Sequence, residues 1–133
     1  VSLESFAKYQ AEEAWTWERM ALTRARFVAG PPSIRVKVEG AIRAALTRPR
    51  DPAQTLKDAA DMRGRLEKDT GRVEVWNVKS APGGLIDIEF IAQALMAAHA
   101  GRNPDVLRAN TREALLALRD AGVLPEADAE ALV

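Results

Sequence analysis

The sequence predicts an all-α protein, an antiparallel helical bundle of about five to six helices with one extended connector at about 72–82. Three observations predict it. Apolar residues recur at helical spacing along most of the chain, caps and breakers punctuate it at short intervals, and the single alternating stretch is too short to build a sheet. The 133 residues fit one helical domain, 1–133, around one core. Hydrophobic residues at 47% and charged residues at 29% suit a globular chain rather than a disordered one.

Ser2 is a good N-cap, and Glu4 lies in the first turn where the helix dipole favours an acid. Leu3, Phe6, Gln10, Ala14, Trp17, Met20 or Ala21, Arg24 and Val28 then keep helical spacing until Gly30-Pro31-Pro32 stops the pattern, which predicts one long helix over 3–29. A second helix is expected from Ser33 to Leu46, with Ile34, Val38, Ile42 and Ala45 on one face. "RPRDP" (48–52) ends it and starts a third, with Asp51 as N-cap and Pro52 at the first helical position. That helix reads through Leu56, Ala59, Ala60, Met62 and Leu66 to Thr70-Gly71.

In "RVEVWNVKSAPGG", Val73, Val75 and Asn77 alternate with Glu74, Trp76 and Val78, an extended pattern. A lone strand makes no sheet, so the segment is expected to lie across the bundle as a connector. The fourth helix runs from Gly84 or Leu85 to Ala98 and is apolar on nearly every side, so it should be the most buried. "GRNP" (101–104) is a loop. Asn110 and Glu113 form a capping box for a fifth helix over 111–121, Gly122 closes it, and Pro125-Glu126 open a last one. A chain that begins at Val1 and ends inside a helix is expected to be a piece of a larger protein.

Composition excludes several functions. Lys plus Arg and Asp plus Glu are each 19, so the basic excess of a nucleic-acid binder is missing. Without cysteine there is no thiolate site, and His99 alone cannot make a histidine-rich metal site; it most simply caps the fourth helix. The longest apolar stretch, 83–98, carries Asp87, Glu89 and Gln93 and is too short to span a bilayer, so a cytoplasmic protein with no membrane partner is expected. No nucleophile triad, HExxH or Walker-type glycine loop is present.

Chemistry concentrates in "APGGLIDIEF" (81–90). Gly83 and Gly84 before a helix can hold a phosphate on free amides, or simply allow a tight turn. Asp87 can cap the first turn, while Glu89 lies about 200° around the helix from it, so the two form no dyad. A helix this apolar cannot solvate both acids, and at least one should meet a base such as Lys79 or a neighbouring domain's cleft. In "WTWERMALTRAR", Trp15 and Trp17 point to different sides, so one is expected in the core and the other over a second surface. A Trp beside Arg24 and Arg26 can mark nucleotide stacking, but core packing with solvated arginines is the simpler reading.

"AWTWERMALTRARFVAG" (14–30) and "NVKSAPGGLIDIEFIAQ" (77–93), with "RPRDP" and "DMRGRLEKD" between them and "NTREALLALRDAGVL" after, resemble the bacterial glutamine synthetase adenylyltransferase family over essentially the whole chain. Asn77 stands where an acid is common in that family. The resemblance implies the all-α domain, related to one in the PII uridylyltransferases, that follows the second, adenylylating nucleotidyltransferase domain. That enzyme moves AMP from ATP, with Mg2+, to a tyrosine of glutamine synthetase. The implied partners are the preceding catalytic domain, glutamine synthetase and the PII protein. The catalytic Asp-x-Asp signature is absent, so no catalytic or metal residue is expected here, and the chain alone should be inactive and hold no cofactor.

On this resemblance Lys79, Gly83, Gly84, Asp87 and Glu89 face the catalytic cleft, with Lys79 as a point charge toward a triphosphate. Trp76, Trp17, Glu18, Arg24 and Arg26 are candidates for the interdomain surface. A regulatory or docking module for PII, glutamine or glutamine synthetase is the alternative, and a structural spacer a third. An exposed Trp76 would point to a missing neighbour.

Overall fold

The structure, a computed structural model, describes residues 2–71, 74 and 76–133. Among them are seven α-helices, one 3₁₀ turn and no strand. The helices are α1 (Leu3–Glu12), α2 (Thr16–Leu22), α3 (Pro32–Leu46), α4 (Pro52–Thr70), α5 (Leu85–His99), α6 (Thr111–Asp120) and α7 (Glu126–Leu132), with the 3₁₀ turn Pro104–Val106 between α5 and α6.

Local chemistry fixes most boundaries. The Ser2 side chain accepts the Ser5 N–H, Asp51 accepts Ala53 N–H ahead of Pro52, and Asn110 accepts Glu113 N–H at 3.1 Å. Gly71 and Gly122, both at positive φ, end α4 and α6. Because the Asn110 cap serves a helix whose Ala114, Leu115 and Leu118 are buried, Asn110→Ala is expected to cost ~1 kcal/mol. Urea denaturation of the two proteins measures that loss.

The long first helix predicted over 3–29 is two helices, which is why there are seven rather than five or six. After α1, both Glu13 and Ala14 N–H turn back to Tyr9 O, and the ladder ends. Glu18 Oε2 then accepts the Trp15 N–H at 2.8 Å and starts α2, while Glu18 Oε1 accepts the Tyr9 hydroxyl at 2.7 Å. One carboxylate thus closes the corner between the two helices. The Trp15 amide, with the Tyr9 hydroxyl beside it, holds that carboxyl below its ordinary range. Beyond α2, residues 23–31 are irregular, and Val28 is exposed.

α5 is the axis. It packs against α2 and α4 on one side and α6 on the other, and has more buried residues than any other helix. Its buried positions are mainly alanines (Ala92, Ala94, Ala97 and Ala98), small enough to let several helices approach. One core joins Met96 and Ala92 to Val106, Leu115 and Leu118. A second joins Ala94 and Ala97 to Met20 of α2 and Ala59 of α4, with Phe90 beside them.

The connector expected to be extended is wound where it is described. Val73 and Val75 of the alternating pattern lie outside the described residues. From Trp76 to Gly84 the chain makes successive turns: Ser80 and Ala81 N–H donate to Asn77 O, and Gly84 N–H donates to Ala81 O. Neither Trp15 nor Trp17 enters the core, at 68% and 47% exposed, so the expectation that one would be buried does not hold. Trp15 is the N-cap residue of the short α2 and Trp17 lies in its first turn, while the inward position is taken by Met20 at 2%.

Candidate functional site: the elbow before α5

The elbow at 76–90 is built from its glycines upward. Gly83 has φ +79°, a conformation glycine adopts without strain. Gly84 has ordinary φ but no room: a Cβ there would lie 2.6 Å from Val78 O, 2.8 Å from Ala81 O and 3.1 Å from Lys79 O. Those carbonyls approach because they take the amides that open α5. Gly84 N–H donates to Ala81 O, Leu85 N–H to Val78 O and Ile86 N–H to Lys79 O, while Asp87 N–H bonds Gly84 O. The Gly83 N–H donates to Asp87 Oδ2 at 2.7 Å. Each amide from Gly83 to Asp87 therefore has an internal acceptor, and the turn offers no free donor to an anion.

Asp87 ties three parts together. Its Oδ1 accepts from Arg63 Nε on α4, and its Oδ2 holds the elbow at Gly83. Both side chains are largely covered, at 19% and 24% exposed. The Arg63 hydrogen bond, reinforced by the Gly83 amide, holds the Asp87 carboxyl below its usual range, and the same bond raises Arg63. The partner is thus Arg63 and not Lys79. Arg63 shares its stripe with Leu56, Ala59 and Ala60 at i, i+3, i+4 and i+7, and an arginine on a stripe packed against an acid-bearing helix is a readable sign of a pair.

Glu89 points elsewhere, as its position around the helix requires. It pairs with Arg24 at 2.6 Å, and Arg24 also reaches Thr111 Oγ1 at 3.4 Å, which links the end of α2 to α5 and α6. With the two side chains 43% and 45% exposed, water and salt screen this pair, and it contributes little.

The remaining candidates are dispersed. Lys79 is exposed at the crest of the elbow and makes no ion pair among the described residues. Beside it Trp76 is 89% exposed, Val78 69% and Leu85 57%. Arg26 lines a separate cleft with Glu39 and Arg43, and Trp17 lines another with Trp15, Asp58 and Arg65. Glu18 is committed to the α1–α2 corner. Between α4 and α5 runs an open groove of about 570 Å³, walled by Leu56, Ala60, Phe90, Ile91 and Leu95 and bounded by the Arg63–Asp87 pair. No group of three or more His, Asp or Glu able to hold a metal ion occurs among the described residues, and no helix there is long and apolar enough to cross a membrane.

Comparison with known proteins decides the lineage. Residues 1–41 match the family model of glutamate-ammonia ligase adenylyltransferase, and residues 53–133 match that of GlnD PII-uridylyltransferase. The bifunctional glutamine synthetase adenylyltransferase/adenylyl-removing enzyme of Rhodopseudomonas palustris (strain TIE-1) is 50% identical over 98% of this chain and 13% of its own length. The chain belongs to the glutamine synthetase adenylyltransferase family. Enzymes of the same description from Bradyrhizobium diazoefficiens and Xanthobacter autotrophicus are 50% and 45% identical, again over 98% of this chain and 13% of theirs. The chain thus spans about 13% of the length of these relatives. Both family models fall on helical segments: the first takes in α1, α2 and part of α3, the second α4 to α7.

Proposed function

We propose that this chain is the helical domain that packs on the adenylylating nucleotidyltransferase domain of such an enzyme and completes its cleft. The observation that carries the reading is the crest of the elbow. Trp76, Val78 and Leu85 stand exposed around Lys79, which makes no ion pair among the described residues, while Gly84, Asp87 and Arg63 fix the backbone beneath them. Apolar side chains gathered on one exposed element fit a covered surface, and a rigid support lets that surface place a charge with precision.

In this reading the parent enzyme moves AMP from ATP to glutamine synthetase. ATP and Mg2+ supply the phosphoryl chemistry there. This chain's residues fit that group in a limited way: Lys79 can approach a triphosphate as a single positive charge. The amides of the Gly83-Gly84 turn have internal acceptors, and the described residues have no metal-holding cluster, so the phosphate cradle and the metal belong with the catalytic domain. Asp87 and Glu89 act through Arg63 and Arg24, shaping the elbow and the α2–α5 junction.

The test is amide hydrogen exchange across 76–85 in this chain alone and in the protein that joins it to its catalytic domain. Slower exchange at the elbow in the joined protein is expected. Equal exchange there, with protection instead over Leu56 and Ile91, would favour the docking reading, in which the apolar α4–α5 groove receives PII or glutamine synthetase.

A further inference from the structure

On the side of α4 away from the groove, two tryptophans stand exposed. Trp15 and Trp17, with Asp58, Asp61, Met62 and Arg65, line a cleft of about 360 Å³ between the start of α2 and α4. Helix geometry places Asp58, Asp61 and Arg65 opposite the stripe of Leu56, Ala59 and Arg63 that faces α5 and the elbow. An indole is large and mostly apolar, and a pair of them left open on one cleft is typical of a surface that receives a partner.

The walls of the cleft are tied together. Thr16 Oγ1, between the two tryptophans, donates to Asp58 Oδ2 at 2.6 Å and pins the first turn of α2 to α4. Gln54 Nε2 donates to Asp58 Oδ1 at 2.7 Å, and the Trp15 amide is held by Glu18 at 2.8 Å. The indoles are thus presented from a fixed backbone, which lowers the cost of ordering them against a partner. The charge of the cleft has a sign as well: two carboxylates, Asp58 and Asp61, stand against the one guanidinium of Arg65. Asp58 is occupied by Thr16 and Gln54, whereas the Asp61 side chain has no hydrogen-bond or ion-pair partner among the described residues. Arg65, four positions further on, pairs with neither acid.

We propose that this cleft docks a partner protein through an arginine that the partner presents on its surface. The guanidinium plane lies against the indoles of Trp15 and Trp17, and its fork of N–H donors meets the free Asp61 carboxylate. Arginine suits the cleft better than lysine, because its weakly hydrated plane can stack on an aromatic face and bind a carboxylate with two parallel hydrogen bonds. The cleft and the elbow lie on different sides of α4, so this surface stands whether or not the elbow meets a catalytic domain.

The test titrates N-acetylarginine amide into this chain, and into the protein that joins it to its catalytic domain, while following the indole N–H resonances of the tryptophans. N-acetylcitrulline amide, the same shape without the charge, is the control, and Trp76 on the elbow is the internal reference. The resonances of Trp15 and Trp17 should move together and saturate with a Kd on the order of 1 mM, in both proteins, while that of Trp76 stays in place. Binding should be ~5-fold or more weaker for the citrulline compound and in Asp61→Asn. Asp61 is exposed, so that variant should keep its Tm, and the citrulline comparison on the unmutated protein does not depend on how the variant folds. No saturable movement of Trp15 and Trp17, or equal affinity for the two compounds, would overturn the proposal. Binding by this chain that is lost in the joined protein would overturn it too, because the catalytic domain and not a separate partner would then cover the cleft.

Discussion

Gly84→Ala is expected to lower stability by about 2–4 kcal/mol and the Tm by ~10 °C. The cause is contact and not torsion, since φ at Gly84 is −79° and suits any residue. The added methyl group would meet Val78 O, Ala81 O and Lys79 O at 2.6–3.1 Å. None of these can retreat freely, because each accepts an amide at the start of α5. To admit the methyl group the turn must open, and the first hydrogen bonds of α5 are lost with it. Gly83→Ala is the internal comparison. A Cβ at Gly83 meets nothing within 4 Å, so only the positive φ opposes it, at about 1–2 kcal/mol. Thermal and urea denaturation of the two variants measure the difference, and equal losses would show that the elbow yields.

Asp87→Asn is expected to cost about 1–3 kcal/mol at neutral pH, because the amide keeps the shape but forfeits the charge-assisted bond from Arg63. The effect depends on pH with a definite sign. Arg63, and after it the Gly83 amide, hold the folded-state carboxyl below the unfolded value of about 3.9. A depressed carboxylate contributes its full stabilisation above the unfolded value and loses it as pH falls through the lowered folded one. The gap between parent and variant should therefore be constant from about pH 5 to 8 and close progressively below about pH 4. Denaturation midpoints across that range check it, and a gap that persists at the lowest pH would mean that charge plays no part.

What could be read in the sequence was what neighbours in the chain decide. Asp51-Pro52, Asn110, Gly71 and Gly122 act within one turn, so α3 to α6 begin and end within a residue or two of expectation. The break between α1 and α2 could not be read, because apolar spacing runs through it. What starts α2 afresh is a carboxylate at Glu18 shared between the Trp15 amide and the Tyr9 hydroxyl, a choice made in three dimensions. The connector reads as extended because its side chains alternate. Its backbone follows instead the carbonyls that α5 needs for its first amides.

The site divides the same way. That Asp87 and Glu89 face different sides follows from helix geometry alone, and each has its own partner. The identity of those partners did not follow: Arg63 lies 24 positions and Arg24 65 positions from its acid.

The measurement that bears most directly on the central claim is AMP transfer to glutamine synthetase by the protein joining this domain to its catalytic domain, with Lys79→Ala set against the parent. Lys79 is exposed and makes no ion pair among the described residues, so its removal should leave the Tm unchanged. If the elbow completes the cleft, the rate should fall by ~10-fold or more, with a higher KM for ATP. An unchanged rate and KM at unchanged Tm would contradict it, and would leave the crest of the elbow with no part in the reaction.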